Sequence, residues 1–78
     1  MIIAVVEKDY AVANEDFRDR YIGSPCRSYE EARELCAAHL GYKNEMHVVE
    51  YIDDGVRYAE TDHETGEILK EFFVRRIG

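Results

Sequence analysis

The stretch "MHVVEYIDDGVRYAETDHETGEILKEFFVRR", Met46 to Arg76, decides the fold. It holds three runs rich in β-branched and aromatic residues. Two acidic triplets that end in glycine separate them, Asp53-Asp54-Gly55 and Glu64-Thr65-Gly66. Runs of that composition suit a pleated, half-buried surface, and each triplet suits a type I turn closed by a left-handed glycine. The stretch therefore reads as two successive hairpins, and the turns set the register. In the first hairpin Ile52 is expected opposite Val56, Glu50 opposite Tyr58 and Val48 opposite Glu60. In the second, Glu60 is expected opposite Lys70, Tyr58 opposite Phe72 and Val56 opposite Val74.

Side chains alternate along a strand, so this register sorts them into two faces. One face carries Val48, Ile52, Val56, Tyr58, Ile68, Phe72 and Val74, with Glu50, Glu60 and Lys70 among them. Both turn assignments give the same apolar face, which is expected to take a helix. The opposite face sets Tyr51, Arg57 and Phe73 beside one another across three strands, flanked by Val49 and Leu69.

The helix is read from "SYEEARELCAAHLG". Ser28 followed by Glu31 is a capping box, and Ala32, Leu35, Cys36, His39 and Leu40 form one stripe. Glu30, Glu31 and Glu34 lie near the positive end of the helix dipole. The spacing predicts a helix over 29–40, with Gly41 as its left-handed stop. Upstream, Ile2 to Glu7 is an apolar run expected to form a strand buried on both faces. Residues 10–25 admit two readings. Asn14 could cap a short helix that ends at Gly23, or the segment is extended and irregular up to Ser24-Pro25, the reading that the alternation favours. The expected architecture is α+β: an antiparallel sheet of about four strands with one main α-helix packed on one face, in a single domain over 1–78.

A chain of 78 residues with net charge −7 and 46% hydrophobic content folds, but on a small core. Such a core stabilises by only about 3–5 kcal/mol without a staple or a partner. The charge is uneven. Residues 45–71 hold nine acids and two bases, net −7, whereas residues 1–44 are net −2 and 72–78 are net +2. An excess of acid disfavours direct contact with nucleic acid or an anionic membrane, because Lys and Arg supply that affinity. It favours a basic protein surface. No run approaches the roughly 20 apolar residues of a membrane span. The opening "MIIAVVEKDY" lacks the basic and apolar regions of a signal peptide, so a cytoplasmic location is expected, with Cys26 and Cys36 reduced.

Chemistry-bearing patterns are sparse. Cys36 and His39 share a helix face and Cys26 lies upstream, but there is no C-x-x-C pair, so no metal is expected and the cysteines read as core. Asp53-Asp54 and Asp62-His63-Glu64 resemble acid–base groupings, yet they fall on turns, where Asp is common because its side chain binds turn amides. No catalytic residue and no cofactor is expected, and the chain is read as a non-enzyme. The binding surface is assigned to Glu50, Asp53, Asp54, Glu60, Asp62, Glu64 and Glu67, with Tyr51, Arg57 and Phe73 as packed anchors. The alternatives are a homo-oligomeric interaction module, formed as a homodimer through the second sheet face with the acids serving solubility alone, and, after it, a small metal-dependent enzyme.

Three stretches carry a resemblance. These are "MIIAVVEKDY" as an opening strand, "SYEEARELCAAHLG" as a capped helix, and "VVEYIDDGVRYAETDHETGEIL" as a closing hairpin set. In layout and charge the chain resembles small phage-encoded anti-CRISPR proteins. The resemblance implies a stoichiometric inhibitor in the cytoplasm of a bacterial host. Its partner would be a subunit of a CRISPR-Cas interference complex, on whose basic nucleic-acid channel it docks to block DNA binding. It carries over no signature residue and assigns no site.

Overall fold

Gly66 adopts φ 74° and Asp62 closes the turn before it. Asp62 N–H donates to the Glu67 carbonyl at 2.9 Å, and Gly66 N–H donates to the Asp62 carbonyl at 2.9 Å. From this turn the last hairpin has the expected register, with Glu60 opposite Lys70, Tyr58 opposite Phe72 and Val56 opposite Val74. The computed structural model describes residues 1–9 and 20–78. Its elements are β1 (Ile3–Asp9), β2 (Arg20–Tyr21), α1 (Tyr29–Ala38), β3 (Glu45–Ile52), β4 (Gly55–Thr61) and β5 (Ile68–Arg76).

The fold is α+β, with all strands antiparallel in the order β2-β1-β5-β4-β3. The sheet has five strands where about four were expected. The extra one, β2, is two residues long, too short to leave a period in the sequence. The alternative helix from Asn14 to Gly23 lies outside the described residues as far as 19, and its last turn is contradicted, because Arg20–Tyr21 are extended in β2. Helix α1 packs on one face, where Ala32 and Cys36 meet Ile3, Val5, Phe72 and Val74. β1 is buried on both faces at its start, since Ala4 on the far face is buried along with Ile3 and Val5.

The helix starts as expected. The Ser28 hydroxyl accepts from Glu31 N–H at 3.1 Å, while the Glu31 carboxylate reaches back to Arg27 N–H at 3.1 Å rather than to Ser28. It ends two residues early, at Ala38. Gly41 is not the left-handed stop; Lys43, at φ 62°, takes that conformation instead. A side chain at Gly41 would lie 2.7 Å from the Asn44 amide nitrogen and 3.3 Å from a Glu60 carboxylate oxygen, so glycine is there for close approach.

The first hairpin departs from the expected register. Asp54 takes the left-handed position at φ 58°, which leaves a two-residue turn and moves Gly55 into β4 opposite Ile52. Asp tolerates that conformation because its short polar side chain bonds locally. A bulge between Val48 and Glu50 then adds one residue to β3. Val48 stands opposite Tyr58 and keeps its expected face, but Glu50 pairs with Arg57 and Tyr51 with Val56. Tyr51 therefore lies on the helix side of the sheet, and the expected row of Tyr51, Arg57 and Phe73 is broken.

Gly66, in its turn, and Gly55, at the start of β4, should respond differently to alanine. At Gly66 an added Cβ meets no atom within 4 Å, so Gly66→Ala should cost about 1 kcal/mol of left-handed backbone strain. At Gly55 the Cβ would run into the Val74 carbonyl across the sheet, so Gly55→Ala should cost about 3 kcal/mol. Urea unfolding of both variants measures the difference.

Candidate functional site

Glu60 was expected on the binding surface, but it is 1% exposed and sits under the end of α1. β4 points it at the helix side, where its neighbours supply donors. One oxygen accepts from Gly41 N–H at 2.7 Å and from the Asn44 side-chain amide at 2.8 Å. The other lies 3.4 Å from Lys70 Nζ. Lys70 also donates to the His39 carbonyl at 2.9 Å and stands 3.9 Å from buried Glu7. Glu7 in turn meets Arg20 at 3.3 Å. A buried carboxylate is tolerated only when charge and hydrogen bonds replace water. Here Glu60 Oε2 is hydrogen-bonded, while Glu60 Oε1 and Glu7 Oε2 meet Lys70 only as ion pairs. The network ties α1, β1, β2, β4 and β5 together and is structural.

The remaining acids do not form one patch. Consecutive turns of a meander lie at opposite ends of the sheet. The seven residues of β4 hold the two acidic turns about 23 Å apart. At one end, Asp53 and Asp54 are exposed, and the Asp54 carbonyl accepts from Tyr29 OH and Arg76 N–H, both at 2.8 Å. At the other end are Asp62, Glu64 and Glu67, joined by Glu45 from the start of β3. Asp62 Oδ1 accepts from Glu64 N–H at 2.8 Å and Thr65 N–H at 3.0 Å. Those amides hold the Asp62 carboxyl below its usual range. His63 donates from Nδ1 to Asn44 Oδ1 at 3.3 Å, a tautomer assigned from the acceptor, and its Nε2 lies 3.6 Å from Glu64. Asn44 thus links the buried Glu60 to the exposed turn.

Glu50 is also partly withdrawn from a partner. It lies 3.3 Å from Arg57, which reaches Glu71 at 3.3 Å and stacks over the Phe73 ring at 5.9 Å. Arg57 and Phe73 are neighbours on the open face as expected, and both are half-buried. Tyr51, 81% exposed, instead lines a recess on the helix side with Tyr29, Val56 and Tyr58. Sequence reasoning missed Tyr29, because its place at the helix start gives no sign that it faces the first hairpin turn. It also missed that β3 is an edge strand that exposes Val48 and Val49 at 46% and 44%. That follows from β5 pairing with β1, which nothing in the order of the strands announces.

Cys26 and Cys36 are free and buried. Burial pushes the Cys36 thiol up to about 12, and Cys26 is raised for the same first cause, with Glu31 adding to it. Among the described residues, no group of three or more potential ligands could hold a metal.

Three outcomes follow from these environments. Both thiols should resist iodoacetamide at pH 8 in the folded protein and react only on unfolding, because the thiolate is the nucleophile. Glu60→Ala should destabilise by about 3–5 kcal/mol in urea, since Lys70 and two amide donors lose their acceptor. Asp62 stabilises its turn above the unfolded carboxyl value and loses that effect as pH falls through its lower folded value. The protection of the Glu64 and Thr65 amides, their exchange rate relative to that of an unstructured amide at the same pH, should therefore fall only at acid pH.

Comparison with protein-family models, with curated proteins and with solved structures found no match to this chain.

Proposed function

We propose that the protein is a small acidic binding protein, without catalysis, that inhibits by covering a basic surface on another macromolecule. In keeping with the anti-CRISPR resemblance, that surface is the nucleic-acid-binding channel of a CRISPR interference complex, and occupancy by the protein excludes DNA. The observation that carries the reading is the exposure of Asp53, Asp54, Glu64 and Glu67 on the two turns, in a chain of net charge −7. Glu60 and Glu50 leave the contact set, the first buried and the second paired with Arg57. Asp62 positions its turn rather than a partner. The thiol at Cys36, held protonated in the core, offers no nucleophile.

The two acidic turns, about 23 Å apart, are separated by more than two Debye lengths at physiological salt. Each therefore meets a different part of a basic groove, and the partner must be at least that long. A DNA-binding channel has that extent.

The test reverses charge at each end. Asp53→Lys with Asp54→Lys, and Glu64→Lys with Glu67→Lys, should each weaken binding to a purified interference complex about tenfold at low salt. Combined, they should weaken it about 100-fold, because distant sites add. Reversal of Glu30, Glu31 and Glu34 on α1 should have little effect. Filter binding of labelled target DNA measures the competition. Equal losses from the helix set and the turn sets would remove the reading.

A further inference from the structure

We propose that the open edge of β3 pairs with an extended segment of the partner that is apolar in the middle and carries Lys or Arg at both ends. The proposal rests on the reading above and names the mode of docking. Among the described residues, no strand pairs with the outer side of β3. Asp54 and Asp62 both direct their backbone bonds to β5 or its turn. Alternation therefore turns the even-numbered residues of β4 toward β5 and the odd-numbered ones toward β3. Ala59 faces His47 and Thr61 faces Glu45. The N–H and C=O groups of Met46 and Val48 are thus left pointing away from the sheet.

Edge strands are usually blunted by charge or by a kink. Here the bulge at Val48–Glu50 confines regular pairing to the first half of β3. Beyond it, contact passes to side chains, to Val49 and to Tyr51 beside the Tyr29 and Tyr58 recess. Acids bracket this stretch, with Glu45 and Glu64 at one end and Asp53 and Asp54 at the other, and Glu50 within it is paired with Arg57. That charge pattern selects the occupant. An extended chain with cations at its ends meets acid at both, while its middle covers Val48, Val49 and Tyr51. A second copy of this chain brings further acid to each end instead. Main-chain bonds would supply affinity and the end charges register, as in other strand additions.

The probe is a peptide of about ten residues, alternating valine and threonine with two lysines at each end. Its control carries N-methyl groups on the alternate amides of one edge, with charge and length unchanged. In amide exchange, the peptide should slow Met46 and Val48 about tenfold, and the methylated control should bind about tenfold more weakly. Val48→Pro, checked for folding by circular dichroism, should bring both peptides to the weaker affinity. If both peptides bind wild type equally, attraction is purely electrostatic. The edge proposal then falls, while the acidic-inhibitor reading stands. If neither peptide binds at low salt, attraction to basic chains fails as well and both fall. If sedimentation shows a dimer that Val48→Pro dissociates, the occupant is a second copy and the proposal is overturned.

Discussion

The carboxylate of Glu60 is the constraint on which the molecule depends. Burying a charge costs several kcal/mol unless the site replaces the lost water. The replacement comes from four places at once: the Gly41 amide, the Asn44 side chain, the Lys70 ammonium and, through Lys70, the His39 carbonyl. Those donors and acceptors lie on the helix end, on the loop after it and on β5. The orientation of α1 across the sheet is therefore set by polar geometry as well as by the apolar contacts of Ala32, Cys36 and Phe72. A core this small, in which two helix side chains are fully covered, gains direction from a few specific bonds that area alone would not supply.

The same network decides which acids remain for a partner. Glu60 and Glu7 are internal, Glu50 is held by Arg57, and Asp62 is engaged by its own turn. What stays exposed at the ends of the hairpins is Asp53 and Asp54 at one, and Glu64, Glu67 and Glu45 at the other. On the proposed reading, net charge would govern long-range attraction, and contact would be made through two separate points with β3 between them. Such a surface discriminates by length and spacing as well as by sign.

The β4–β5 hairpin was legible because one glycine, Gly66, sits where a left-handed residue is needed, and the pairs from Glu60–Lys70 onward match, past a one-residue register shift between Glu60 and Thr61. The helix was legible from Ser28, Glu31 and a single stripe. The β3–β4 hairpin was not, because Asp54 and Gly55 can both take the left-handed position and the sequence does not choose between them. A one-residue difference there exchanges faces, and the bulge restores only Val48 and the residues before it. That is why Arg57 and Phe73 were placed together correctly while Tyr51 was not. Glu60 was placed on the face that takes the helix, but its use as an internal acceptor was hidden, because its partners, Gly41 and Asn44, come from a loop with no periodic signal. The pairing of β1 with β5, which leaves β3 at the edge, is a long-range choice that local patterns do not encode.

The extra residue at Val49 has a consequence for crowding. A straight unpaired border of eight residues would offer itself to any similar border, and identical molecules at high concentration could add edge to edge into fibres. The kink breaks step after the first four residues, so no long uninterrupted ladder can grow from it. One inserted residue thus lets the molecule keep a sticky rim without becoming a seed for its own precipitation.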